Sequence, residues 1–184
     1  MSRIEVRIAG FGGQGIIRSG EIVGTAAAIH DGKYATFTQI YGPESRGGAC
    51  AAQVIISDEP IHYPHLLDPR ILVVMSQGAY SKYVPDFNRE GLLLIDEDLV
   101  ELAEEAAGLR VLAIPATRLA EEKLGRKVVA NVVMLGFFAA VTDVVSVDAL
   151  RRAVLESVPK GTEELNQNAF DLGYEYGRRL VDGE

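Results

Sequence analysis

The sequence predicts an α/β layered domain with a mainly parallel, Rossmann-like sheet and a helical C-terminal third. Three observations carry this. A strand-like run opens through a glycine loop into a helical run in "RIAGFGGQGI", residues 7–16. The runs "ILVVM" (71–75), "LLLID" (92–96) and "VLAIP" (111–115) are short and continuously apolar, as in strands buried on both faces, and helical spacing separates them. From Val128 onward every periodic segment is helical.

Taken in order, Ile4, Val6 and Ile8 alternate with Glu5 and Arg7, the period-two pattern of a strand. Residues 16–29 follow as an Ala-rich helix that ends near Asp31-Gly32. A second strand is expected at 34–40 and a third, "ACAAQVIIS", at 49–57. Too little chain separates these two for a helix, so they form a hairpin-like pair. The spacing predicts helices over 79–84, 99–107 and 116–124, the last stopped by Gly125. Three more cover 128–141, 147–158 and 163–181, with Ser146 as an N-cap. Neither repeat nor linker divides the chain, so residues 1–184 read as one domain.

Composition narrows the function classes. Acidic residues outnumber basic ones 26 to 18, for a formal net charge of −8. The Arg151-Arg152 and Arg178-Arg179 pairs are isolated, so the basic stripe that nucleic-acid binding requires is missing. The longest apolar stretch, 128–141, falls short of the roughly 20 residues that cross a bilayer. No signal-peptide pattern opens the chain, and the single cysteine, Cys50, permits no internal disulfide. A cytoplasmic location, with neither membrane nor nucleic acid as partner, is the expectation.

The glycine loop places Gly10, Gly12, Gly13, Gln14 and Gly15 between strand and helix. Gly10-x-Gly12-x-x-Gly15 satisfies the dinucleotide fingerprint, in which backbone N–H groups approach an anion at the positive end of a helix. The acidic residue that binds ribose hydroxyls at the end of the next strand is absent, since that strand ends in Gln39-Ile40-Tyr41. Three readings stay open: a tight turn serving only the core, a site for phosphate or another anion, and a contact with a neighbouring chain.

A second constellation, "TQIYGPESRGG" (38–48), sets Tyr41, Gly42, Glu44, Arg46, Gly47 and Gly48 around a Gly-Pro turn. One reading is a rigid turn with a local ion pair, contributing about 0–1 kcal/mol. The other uses Arg46 to grip a carboxylate or phosphate through two parallel hydrogen bonds. In a doubly wound sheet this loop shares an edge with Gly10–Gly15.

Other chemistry finds little support. His30, His62 and His65 lack a regular ligand spacing with nearby carboxylates, and the last two read as solvated loop residues. Ser57 and Ser76 sit outside any G-x-S-x-G elbow. Cys50, among small residues in a strand, reads as an inert buried thiol. No catalytic residue and no metal site is assigned.

Together, "GFGGQGI", "TQIYGPESRGG" and "VIISDEPIHYP" resemble the gamma subunit of the 2-oxoacid:ferredoxin oxidoreductases. The later "DPRILVVMSQGAYSKY" and "NVVMLGFFAA" are similar to the same family's continuation, so the resemblance runs from Arg3 to about Ala140. The form of the second motif looks most like the 2-oxoglutarate branch, with Ser45 where that branch often carries alanine; the pyruvate and branched-chain branches share much of it. The resemblance implies a multi-subunit enzyme that oxidatively decarboxylates a 2-oxoacid with coenzyme A and passes electrons to ferredoxin. It implies that thiamine diphosphate, magnesium and iron–sulfur clusters sit on alpha, beta and in some members delta subunits. One cysteine cannot supply the roughly four thiolates of a cluster, and no Gly-Asp-Gly segment of the thiamine type occurs. On this reading the Gly10–Gly15 and Tyr41–Gly48 loops face partner subunits or line a coenzyme A channel. A homodimer of the isolated chain is compatible with such an exposed surface. Two alternatives stand beside it: a free-standing nucleotide-binding oxidoreductase, and a purely structural assembly subunit.

Overall fold

The computed structural model describes residues 3–42 and 48–183. Six strands form one sheet: β1 (Ile4–Phe11), β2 (Tyr34–Ile40), β3 (Ala49–Ser57), β4 (Ile71–Val74), β5 (Leu92–Asp96) and β6 (Arg110–Ile114). Their spatial order is β2-β3-β1-β4-β5-β6. β1 pairs with β4, β4 with β5 and β5 with β6 in parallel. β3 alone runs against the rest, antiparallel to both neighbours. The mainly parallel sheet and the β2–β3 pair expected from the sequence are present, and β3 is inserted between β2 and β1.

Among the described residues six α-helices accompany the sheet: α1 (Ile16–Thr25), α2 (Gln77–Tyr83), α3 (Ala116–Leu124), α4 (Ala130–Val141), α5 (Val147–Ser157) and α6 (Glu163–Asp182). Two apolar clusters mark the two sheet faces. On one face Val6, Ile8, Val54 and Val73 meet residues of α1, α3, α4, α5 and α6. On the other, Ala9, Ala51, Leu72, Leu93 and Ile95 lie beneath Tyr80, Val84 and Phe87, in and just after α2. The C-terminal third thus thickens one layer.

α4 is buried from Ala130 to Ala140 because it is enclosed between the sheet and α6. The close approach of α4 and α6 depends on Gly136 and Gly173. A Cβ at Gly136 would overlap the Phe170 carbonyl oxygen, and one at Gly173 the Val133 carbonyl oxygen. Ser146 caps α5 by accepting from the Ala149 amide at 3.2 Å, and Asp31 in turn accepts from the Ser146 amide and hydroxyl at 2.7 and 2.6 Å. Gly125 ends α3 in the left-handed conformation, as its sequence position predicts.

The helix expected over 99–107 is not formed. The chain there is irregular, with one 3₁₀ turn at Glu104–Ala106. Side chains of α2 take the backbone groups that a helix would have used. The Gln77 amide accepts from the Glu101 N–H at 2.8 Å and donates to its carbonyl at 3.2 Å, and the Tyr80 hydroxyl accepts from the Ala103 N–H at 3.0 Å. Smaller differences concern ends. α2 starts two residues earlier than its spacing suggests because Ser76 caps it, and α1 passes into a π-helical turn at Ala26–His30.

Candidate functional site

The C-terminal ends of β1 and β2 lie on one edge of the sheet, with the start of β3 between them. Gly10 stands opposite Cys50, Phe11 opposite Ala49, and Ile40 opposite Ala51. At the β2–β3 mouth a Cβ on Gly42 would come within 3.0 Å of the Ala49 carbonyl oxygen and 3.7 Å of the Gly48 carbonyl carbon. The structure therefore brings Gly10–Gly15, Tyr41, Gly42 and Gly48 to one place. Glu44, Arg46 and Gly47 lie outside the described residues.

Within the glycine loop the residues divide by task. Gly15 occupies the N-cap of α1 at φ 74°, a conformation that favours glycine, and a Cβ there would sit 2.5 Å from Nδ2 of Asn131. Gly10 lets the Gln14 side chain fold back, since a Cβ on it would meet the Gln14 Oε1 at 2.5 Å. That side chain accepts from the Phe11 N–H at 2.9 Å and donates to the Met75 carbonyl at 2.6 Å. Gly12 has open space where its Cβ would be, and Gly12 and Gly13 form the exposed tip.

The loop departs from the dinucleotide fingerprint in two respects. In a fingerprint loop the pyrophosphate enters above the glycines at the helix N-terminus. Here the Gln14 amide spans from the end of β1 to the end of β4 beside that position. The strand after α1 ends in Gln39 and Ile40, which offer no carboxylate to a ribose. α1 nevertheless lacks a side-chain cap, so its first-turn N–H groups remain for water, an anion or a partner chain.

Around this tip the edge is aromatic and open. Phe11 is 42% exposed and Tyr41 64%, and the Tyr41 hydroxyl donates to the Gln39 side-chain carbonyl at 3.1 Å. Phe11 was missed by the sequence reading, although a large apolar residue inside a glycine loop is itself a signal. Asn131 was also missed as a site neighbour. It is a lone amide in a buried helix, and its Nδ2 lies 3.5 Å from the Ser19 hydroxyl, which donates to the Gly15 carbonyl at 3.0 Å.

The remaining candidates are accounted for. Cys50 is buried, and desolvation pushes its thiol above the ordinary range, partly offset by a backbone hydrogen bond. That suits an unreactive thiol. His62 and His65 are exposed, and His30 contacts the Glu156 carboxylate at 3.0 Å. Ser57 and Ser76 accept from nearby backbone amides in a turn and a cap. Asp96 is fully buried at the end of β5 and anchors the start of α3, accepting from the Thr117 amide and hydroxyl at 3.0 and 2.6 Å. Among the described residues no group of three or more His, Cys, Asp or Glu side chains could hold a metal ion.

The domain thus joins a latched glycine loop to an open aromatic edge, formed by Phe11 and Tyr41. Residues 5–176 match the family described as pyruvate ferredoxin/flavodoxin oxidoreductase. The chain is 50% identical over 179 residues to 2-oxoglutarate synthase subunit KorC of Methanocaldococcus jannaschii, covering 97% of this chain and 96% of that protein. Pyruvate synthase subunit PorC of Methanothermobacter marburgensis is 35% identical, covering 94% and 96%. The gamma subunit of a keto/oxoacid ferredoxin oxidoreductase from Geobacter sulfurreducens superposes with TM-score 0.87 at 41% identity, covering 98% of both chains. The chain belongs to this oxidoreductase family, as a gamma-type subunit of a 2-oxoacid:ferredoxin oxidoreductase.

Proposed function

We propose that this chain serves a 2-oxoglutarate:ferredoxin oxidoreductase, which converts 2-oxoglutarate and coenzyme A to succinyl-CoA and carbon dioxide with reduction of ferredoxin. The observation that carries the choice of oxoacid is the 50% identity to a 2-oxoglutarate synthase subunit across nearly both whole chains. Residues 1–184 act as one domain. Thiamine diphosphate, magnesium and iron–sulfur clusters reside on alpha and beta subunits, with a delta subunit where one is present. The donor set of this chain supports that division, since a lone buried cysteine supplies no cluster ligands.

The edge formed by Phe11–Gly13, Tyr41, Gly42 and Gly48 faces the catalytic subunits. The free amides of α1 and the Arg46 side chain act there on an anion, either a coenzyme A phosphate or a partner carboxylate. Gln14, Gly10 and Gly15 hold that edge in shape from within.

The test is reconstitution of the complex with and without this chain, assayed for acceptor reduction with each oxoacid. Reduction that requires this chain and prefers 2-oxoglutarate supports the reading. Full activity without it, or activity with pyruvate alone, overturns it. Arg46→Ala is expected to weaken assembly or to raise the apparent KM for coenzyme A.

A further inference from the structure

Beside α1 the chain leaves an open cavity of about 440 Å³. The connection from α5 to α6 passes over the space between α1 and the start of α4 without filling it. Ile22, Val129, Val132 and Leu165 give the cavity apolar walls. Its volume lies in the range of small-molecule sites, which combine such walls with a few placed polar groups.

Two polar groups are placed here, the amides of Asn131 and Asn166, which are 8% and 6% exposed. Their nitrogens are engaged. Asn166 Nδ2 donates to the Thr162 carbonyl at 2.9 Å and to its hydroxyl at 3.2 Å, and Asn131 Nδ2 lies 3.5 Å from the Ser19 hydroxyl. Their carbonyl oxygens accept from no described residue, although buried acceptors in native folds are ordinarily paired. Neither oxygen is among the fully enclosed unpartnered side-chain atoms of the described residues, which belong to Arg7, Thr36, Tyr83 and Arg151. Each therefore keeps accessible surface, and the space that both residues line is this cavity.

The surrounding charge selects against an anion. Among the described residues Arg18 is the one charged group lining the cavity. Its guanidinium is taken up by the Glu21 carboxylate at 2.7 Å and the Ser157 carbonyl at 2.6 Å. Glu163 and Glu164 occupy the first turn of α6, next to Thr162. A carboxylate or phosphate would meet two carbonyl oxygens without a cation to balance it, whereas an N–H or O–H donor satisfies them.

We infer that this cavity binds a small uncharged molecule with a compact aliphatic body and an amide or hydroxyl donor. The donor pairs with the amide oxygens of Asn131 and Asn166, and the aliphatic part lies against Ile22, Val132 and Leu165. Occupancy is felt at the glycine loop. Asn131 backs onto Gly15, where a Cβ would sit 2.5 Å from its Nδ2, and Ser19 beside it donates to the Gly15 carbonyl. The inference goes beyond the docking role of the loop edge and does not depend on which oxoacid the complex uses.

Isovaleramide and isovalerate share a carbon skeleton and test the idea, one offering a neutral donor and the other a carboxylate at neutral pH. Each is titrated into the isotope-labelled full chain and followed by NMR of backbone and side-chain amides. Isovaleramide is expected to bind saturably at about 1–10 mM, the range open to so small a fragment. It should shift the side-chain amides of Asn131 and Asn166 and the backbone amide of Gly15. Isovalerate should bind at least about tenfold more weakly. Val128 stands exposed at the rim, so Val128→Trp narrows the mouth without entering the core. Asn166→Leu keeps the volume and removes the oxygen. Each variant should weaken isovaleramide binding about tenfold. Should Asn166→Leu fail to fold, Val128→Trp and the isovalerate comparison decide. No saturable shift up to about 50 mM, shifts confined to residues away from the cavity, equal affinity for isovalerate, or unchanged affinity in Val128→Trp overturns the inference.

Discussion

The side-chain amide of Gln14 donates to the carbonyl oxygen of Met75 at 2.6 Å, and so ties the loop after β1 to the end of β4. The same amide accepts from the Phe11 N–H, closing the loop on itself. Gln14→Ala removes both bonds and leaves the exposed Phe11 N–H and the part-buried Met75 carbonyl without this side-chain partner. A loss of about 1–3 kcal/mol in unfolding free energy is expected, read from urea melts. Gln14→Glu keeps the acceptor for Phe11 but sets a carboxylate against the Met75 carbonyl, so it should cost at least as much at neutral pH.

Gly15 and Gly12 are expected to separate structure from binding. Gly15→Ala meets both a left-handed φ and the Asn131 side chain, and should destabilise the chain by about 1–3 kcal/mol. Gly12→Ala enters open space at an ordinary φ, so stability should change little. Impaired assembly or a raised coenzyme A KM in Gly12→Ala, with an unchanged melt, would identify the tip as a contact surface. A normal complex from that variant would remove the tip from the docking edge.

Gly173→Ala should be among the most damaging single-methyl additions in the molecule. The new Cβ overlaps a backbone carbonyl on α4, which cannot rotate aside as a side chain can. About 3 kcal/mol of destabilisation is expected, with the α4–α6 pair pushed apart. Thermal melts of Gly173→Ala and Gly161→Ser check this. Gly161 has no neighbour within 4 Å of its Cβ position but adopts a positive φ, so it reports backbone strain without the clash and should cost less.

Asp96 predicts a pH dependence with a definite sign. Burial raises its pKa above the ordinary 3.8, against the opposing bonds from the Thr117 hydroxyl, the Thr117 amide and the Asp98 amide. The folded chain therefore holds this proton more tightly than the unfolded chain does. Its contribution to stability is complete below the ordinary aspartate value and is lost as the pH rises through the raised folded value. Asp96→Asn cannot ionise, so its stability should gain on the unaltered protein across that interval. Parallel urea-midpoint curves for the two proteins would sink the assignment.

Much of this architecture was legible because it is written over short distances. All six strands fall where alternation or short apolar runs place them, and Ser146 and Gly125 mark helix ends by local chemistry. The failure at 99–107 has the opposite origin. Its helical composition was overridden by Gln77 and Tyr80, more than twenty residues away, which bind its backbone directly. The site was half legible. The glycines and Tyr41 announced a built edge, but the division of labour among them depends on Met75, Asn131 and Ala49, none of them local.

The sequence by itself determined the alternation of strand and helix, the missing ribose carboxylate and the lack of cluster ligands, because periodicity, turn chemistry and residue counts need no partner. Tertiary structure alone decided that Gln14 is a latch and that Gly10 stands opposite Cys50. Those facts depend on the register of β1 against β3 and β4. Register is settled only when distant segments bury their apolar faces together, and it then dictates which side chains meet.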